Sequence, residues 1–311
     1  MSRRTAFISH SLCLKPLHGK NHPENPQRLY AIQDQLIRQQ LTPFLEQYDA
    51  PEANTSQLLR VHTRNHLNYL QQHTPQPGQA FFRVDDDTLM DEHTLPAARR
   101  AAGAGILAVD LLMAGRADNA CCVVRPPGHH AGPERARGFC FFNNIAVAAA
   151  HALEHHGLKR IAIVDCDVHH GDGTEAIVAN DPRIMFCSAY QRRLYPNPEP
   201  RHTPPHIIHT PLESGTDSAT FRSAIREQWL PALQDFAPEM IFVSMGFDGH
   251  WEDDLADWLL TDGDYSWLTQ RMLELANQYS QGRLVSMFEG GYIYSSVARC
   301  MSQHIRGLMG L

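Results

Sequence analysis

An α/β fold on a doubly wound, mainly parallel sheet is what this sequence predicts, and three observations predict it. Short apolar runs recur along the chain, helix-length segments with apolar residues at helical spacing separate them, and most runs empty directly into polar or glycine residues. Strands that alternate with helices imply right-handed crossovers and a parallel sheet, and in such sheets chemistry collects beyond the carboxyl ends of the strands. In chain order, the predicted strands are residues 5–8, 120–124, 160–164, 184–188, 240–244 and 284–288. Their continuous Ala, Val, Ile, Cys, Met and Phe content suits strands buried on both faces. The predicted helices are residues 25–40, 95–115, 144–156, 218–236 and 265–281, several closed by a following glycine. No internal repeat or flexible linker divides the chain, so residues 1–311 are expected to form a single three-layer αβα domain. Tyr195-Pro196-Asn197-Pro198-Glu199-Pro200 and Thr203-Pro204-Pro205 cannot continue regular structure. They predict a loop that follows the 184–188 strand and walls the site.

Composition narrows the function. Hydrophobic residues make up 43% of the 311 positions and charged residues 20%, ordinary globular usage. The net charge is −7 and basic residues cluster only in short pairs such as Arg192-Arg193, which argues against direct nucleic-acid binding and favours a cationic substrate. The amino terminus lacks a signal-peptide core and no apolar run reaches membrane-spanning length, so a soluble, cytoplasmic protein is expected. Seven cysteines without any Cys-x-x-Cys pair read as small buried hydrophobes in a reducing compartment.

The most informative stretch runs from Ile161 through Val164 into Asp165-Cys166-Asp167-Val168-His169-His170-Gly171-Asp172. In extended backbone Asp167 and His169 project to one side, and oxygen and imidazole donors that close together suit a divalent ion such as zinc, iron or cobalt. Four other segments have the same form: Arg125-Pro126-Pro127-Gly128-His129-His130, Gly138-Phe139-Cys140-Phe141-Phe142-Asn143-Asn144, Gly246-Phe247-Asp248, and Glu289-Gly290-Gly291-Tyr292. Each alone is weak.

Together, in this order and spacing, they resemble the histone deacetylase superfamily, which includes acetylpolyamine amidohydrolases and shares its fold with arginases. The resemblance extends from His22-Pro23-Glu24-Asn25-Pro26-Gln27-Arg28-Leu29 to Tyr292, nearly the whole chain, and leans toward the class II branch and its bacterial relatives. The order Asp165-x-Asp167-x-His169 is that of the mononuclear deacetylases rather than the dimanganese arginases. The resemblance implies one catalytic zinc held by Asp167, His169 and Asp248, with a position left open for chemistry. It pairs His129 with Asp165 and His130 with Asp172, the partners that fix imidazole tautomer and orientation. His130 is read as general base and later general acid, with His129 tuning the site beside it. Tyr292, placed after two glycines, is read as the donor to the developing oxyanion.

For the substrate, the resemblance implies an aromatic slot between Phe139 and Tyr195, a carbonyl acceptor at Gly138, Leu255 at the rim, Gly290 and Gly291 as further substrate-binding residues, and Arg28 in an internal channel that receives acetate. It also implies a structural potassium ion at Asp165, Asp167, His169 and Ser188. Tyr190, the Asn197-to-Pro200 turn and Asp254 depart from the family pattern, and all three are expected at the pocket mouth. There, Trp251, Glu252, Asp253 and Asp254 read as an acidic, aromatic rim. The expected reaction is hydrolysis of the amide of an acylated, by default acetylated, lysine side chain. Alternatives are a small N-acyl amine such as an acetylpolyamine as substrate, which the apolar Leu255 disfavours, and a non-catalytic binding module.

Overall fold

The structure is a computed structural model that describes residues 3–17, 22–197 and 204–311. The strands are β1 (Thr5–Ser9), β2 (Glu46–Asp49), β3 (Phe82–Arg83), β4 (Leu89–Met90), β5 (Asn119–Cys122), β6 (Ile161–Asp165), β7 (Ile184–Gln191), β8 (Ile207–Leu212), β9 (Met240–Met245) and β10 (Leu284–Phe288). Eight of them form one sheet in the order β2-β1-β5-β10-β9-β6-β7-β8, every pairing parallel, while β3 and β4 make a separate antiparallel hairpin. The expected parallel doubly wound sheet is thus present, and every residue of β5, β6, β9 and β10 is buried. Continuous apolar strands are what double-sided coverage by helices demands.

The helices are α1 (Gln27–Arg38), α2 (Thr55–Leu58), α3 (Arg64–His73), α4 (Thr94–Met113), α5 (Asn144–Glu154), α6 (Asp172–Val178), α7 (Ser218–Ala224), α8 (Leu230–Phe236), α9 (Asp262–Tyr279) and α10 (Tyr294–Met309). Two helical layers flank the sheet, α1 and α9 packing with α10, and α4 packing with α5. The helix expected over 218–236 is continuous through α7 and α8, but widens to a π-helical turn at Ile225–Trp229.

Sequence reading missed the two edge strands, the hairpin, α10 and the short helices α2, α3 and α6. β2 alternates between half-buried and exposed residues, the mark of a sheet edge, and so lacks the apolar run that betrays the central strands. All seven cysteines are free and buried. Among the described residues, no helix is long and apolar enough to cross a membrane.

Candidate active site

β5, β10, β9 and β6 are consecutive neighbours in the sheet, and their carboxyl ends deliver the four strand-end motifs to one place. Asp167 and His169 follow β6, Asp248 follows β9, and the three converge: His169 Nδ1 is 3.0 Å from Asp167 Oδ1 and 3.1 Å from Asp248 Oδ2. The backbone fixes both acids, with Gly290 N–H donating to Asp167 Oδ2 at 2.8 Å and Val168 N–H to Asp248 Oδ1 at 3.0 Å. A Cβ on Gly290 would sit 2.0 Å from Asp248 Oδ2 and 2.5 Å from Asp167 Oδ2, so only glycine lets this backbone close the trio from behind.

The site carries more negative charge than its imidazoles neutralise. Asp165, Asp167, Asp248 and Glu289 are all buried within it. Burial and the charge of Asp167 push the Asp248 carboxyl up to about 7. Against the cost of burial, the bonds to Asp167 and Asp248 raise His169 to about 10. Buried charges at this density require compensation, and two carboxylate oxygens and an imidazole nitrogen meeting at one point are hard and borderline donors. The residues present fit a divalent cation.

Two His–Asp pairs stand beside this trio. His129 Nδ1 is 3.0 Å from Asp165 Oδ2 and His130 Nδ1 is 2.8 Å from Asp172 Oδ1, with the two rings 3.9 Å apart. Burial alone would lower His129, but Asp165 and Asp167 raise it well above its ordinary value. Burial and the charge of His129 push His130 down to about 3 despite Asp172.

A cavity of about 510 Å³ opens over these groups. His129, His130, His169, Gly290 and Tyr292 face it from below, and Gly138, Phe139, Tyr195 and Leu255 from the sides. The Phe139 ring meets Tyr292 edge-on at 6.0 Å, and the Tyr195 ring meets His130 edge-on at 5.0 Å. Gly138 has φ +54° and its absent Cβ would fall 2.6 Å from the His130 ring, which explains glycine there. Burial pushes the Tyr292 phenol well above its ordinary value, keeping it protonated.

Arg28 does not line the cavity. It is fully buried behind the Gly290–Tyr292 turn, donating through Nε to Gly291 O at 2.7 Å and through Nη2 to Glu289 O, with Nη1 on Glu24 Oε1 at 3.2 Å and its guanidinium 4.9 Å from the Tyr292 ring centre. Ser188 stands opposite Asp165 in the β6–β7 ladder, its Oγ 2.9 Å from His170 Nδ1.

At the mouth, several expectations need correction. Asp253 is buried and accepts from Tyr292 N–H at 2.6 Å and from Ile293 N–H at 3.3 Å, Glu252 pairs with Arg299 at 2.7 Å, and Asp254 points to solvent. Among the described residues, the acids that line the cavity are Asp86 and Asp87, from the β3–β4 hairpin. Tyr190 is buried against His170 rather than at the entrance. Of the Asn197-to-Pro200 turn, Pro198, Glu199 and Pro200 lie outside the described residues, as does Thr203.

Three contributors escaped sequence reading. Glu289 closes the end of β10, where its Oε2 accepts from Gly128 N–H at 2.7 Å and His129 N–H at 3.2 Å, and its Oε1 from Ser244 at 2.9 Å. An acid at the end of a buried apolar run was its signal. Arg125 and Glu24 form a fully buried ion pair beneath Arg28. Arg137 donates through Nε to Tyr195 Oη at 2.7 Å and through Nη1 to Asp172 Oδ2 at 3.0 Å, tying the cavity wall to the second His–Asp pair.

Sheet, strand-end acids and paired imidazoles meet in one place, and comparison with known proteins gives the family to which this arrangement belongs. Residues 22–308 match the histone deacetylase domain. The chain is 36% identical over 96% of its length to histone deacetylase 10, chloroplastic, of Oryza sativa subsp. japonica, covering 72% of that protein. It is 33% identical over its full length to a histone deacetylase-like amidohydrolase of Pseudomonas aeruginosa, covering 87% of it. The solved HDA15 HD domain superposes on 99% of this chain and 90% of its own with a TM-score of 0.91 at 30% identity. The chain belongs to the histone deacetylase family, whose fold is that shared by deacetylases and arginases.

Proposed function

We propose that residues 1–311 form one catalytic unit that hydrolyses the amide bond of an N-acylated lysine side chain, acetyl-lysine by default, with zinc as cofactor. The convergence of Asp167, His169 and Asp248 beneath an aromatic-walled cavity, next to two His–Asp pairs, carries this reading. When bound by those three residues, zinc supplies Lewis acidity toward the acyl carbonyl and the attacking water.

The chain's own groups do the rest. Asp172 holds His130 by Nδ1, leaving Nε2 as the ring nitrogen for the cavity. His130 Nε2 takes the proton of the attacking water and returns it to the departing amine. His129, kept charged by Asp165 and Asp167, contributes positive potential beside the reacting centre. The Tyr292 hydroxyl donates to the oxygen on which charge develops, and Arg28 fixes that residue's turn by its bond to Gly291 O. Phe139 and Tyr195 exclude water from the alkyl chain, Gly138 O accepts the amide N–H, and Leu255 bounds the entrance. The ladder pair Asp165 and Ser188, with Asp167 and His169, is the proposed potassium position. Seven buried free cysteines fit a reducing, cytoplasmic setting.

A second reading rests on Asp86 and Asp87: carboxylates at the mouth suit a substrate with a distal ammonium, such as an acetylpolyamine. Turnover of an acetyl-lysine peptide against N-acetylputrescine, with chelator and with zinc restored, tests both. Peptide turnover that is lost on chelation and regained with zinc is expected. Tenfold preference for the polyamine, on the order of 1.4 kcal/mol, overturns the lysine assignment. Activity indifferent to chelation overturns the metal.

A further inference from the structure

Remote from the cavity, α4 and the carboxyl end of α5 bring four donor side chains together. His151 Nε2 and His156 Nε2 each lie 2.7 Å from the same oxygen, Asp110 Oδ1. His155 stacks on His151 with ring centres 4.8 Å apart at 16°, and meets His156 at 4.8 Å edge-on. One donor atom from each of the four falls within 4.8 Å of all the others. The local sequence explains the cluster. His151 and His155, four apart at the end of α5, share a helix face, and His156 extends the set as the helix ends.

The protonation states suit a cation. Although burial works against it, the bonds from His151 and His156 hold Asp110 below the usual carboxylate range. Burial holds His151 below its ordinary value, so its imidazole is neutral at physiological pH.

We propose that Asp110, His151, His155 and His156 form a second metal site, one that takes a divalent ion of the zinc class. Three imidazoles and one carboxylate fill a tetrahedral shell without an open position, which makes the site structural rather than catalytic. Bonds of about 2.0 Å to a tetrahedral ion put its ligands roughly 3.3 Å apart, so the His–Asp contacts must open by about half an ångström as the ion replaces the bridging protons. Arg60 opposes this: its Nη1 sits 2.8 Å from His151 Nδ1, where a metal-bound imidazole carries its own proton. Loading therefore turns the half-buried Arg60 side chain toward solvent. Occupancy would clamp α5 to α4 at the end opposite Asn143, whose Nδ2 donates to Ala131 O at 3.0 Å beside the His129–His130 pair.

The test is a zinc titration of the whole chain against a chromophoric chelator, with native mass spectrometry to count ions. The wild type should bind one equivalent more than His155→Ala/His156→Ala, however many ions the cavity retains, which keeps this test separate from that of the catalytic reading. Zinc should raise the melting temperature of the wild type more than that of the double variant. Arg60→Ala should bind the additional ion more tightly, and deacetylation by the double variant should match the wild type. Equal stoichiometry in wild type and double variant, with both folded, overturns the proposal, as does an equal zinc-induced thermal shift.

Discussion

The two His–Asp pairs are the same chemistry in two settings. His129–Asp165 and His130–Asp172 differ by 0.2 Å in length, 3.0 against 2.8 Å, yet their imidazoles titrate in opposite directions. His129 lies among buried carboxylates and gains a proton readily. His130 lies beside that charge, and its own partner Asp172 is shared with Arg137 and keeps 26% of its side chain exposed. Residue type and pairing do not decide which ring holds its proton and which gives it up; the surrounding charge does. In the proposed mechanism one ring is thereby a fixed cation and the other a proton acceptor, a division of labour that two isolated pairs would not have.

Replacing each imidazole in turn breaks this comparison most directly. His130→Ala should lower kcat by about 10²–10⁴-fold, the usual worth of a positioned general base. His129→Ala should cost less in kcat, because it removes a field and not the group that moves the proton. Steady-state kinetics on one acyl-lysine peptide check both, and the reverse ranking would exchange the proposed roles. Tyr292→Phe comes next, with an expected loss of about 10²-fold for one oxyanion donor. Its zinc content should stay at the parental level, which separates loss of the donor from loss of the metal.

The contrast between the pairs also shows what the sequence can reveal. The central strands are legible because burial on both faces makes them continuous apolar runs, and the residues placed at their ends converge because a parallel sheet brings those ends together. Asp167, His169 and Asp248 meet although 79 residues separate the last two. The edge strand β2, with half its residues exposed, carries no such run. Helix α10 has buried Val297, Met301, Ile305 and Leu308 at helical spacing, but serine, arginine and glutamine dilute the pattern. What sets the two histidines apart is less legible still. Arg137 reaches Asp172 across 35 positions and Tyr195 across 58, and Asp86 and Asp87 arrive at the mouth on a hairpin whose strands have two residues each. Such contacts depend on how loops lie against one another, and no local spacing encodes that.

The partner acids predict opposite pH responses. Burial opposes the charge on Asp172, but the bonds from His130 and Arg137 hold its folded pKa below the ordinary value. Ionised Asp172 therefore stabilises the fold above the unfolded pKa of about 3.9, and this contribution is lost as pH falls through the folded value. Asp165 is the reverse: burial outweighs His129 and raises its folded pKa, so its contribution is present below about 3.9 and lost as pH rises. In chelator-treated protein, Asp172→Asn should flatten the fall in melting temperature below pH about 4, and Asp165→Asn should not. Equal flattening by both would mean that the two carboxylates share one environment.

The smallest expected effect isolates the group that makes the second pair different. Arg137 donates to both Asp172 and the phenol of Tyr195, with its guanidinium 4.8 Å from the Tyr195 ring centre. Arg137→Met keeps the unbranched apolar stem of the side chain and removes both donors. A hydrogen bond from a charged donor contributes about 1.5–3 kcal/mol net, of which only part reaches substrate binding. Freed from Arg137, Tyr195 should hold the acyl chain less firmly, raising KM by roughly fivefold with a smaller change in kcat. Without the cation, Asp172 should also interact more strongly with His130 and shift the acidic limb of the kcat/KM profile upward in pH. A KM change with an unmoved pH profile would assign Arg137 to the wall alone; a moved profile with unchanged KM would assign it to the His130–Asp172 pair alone.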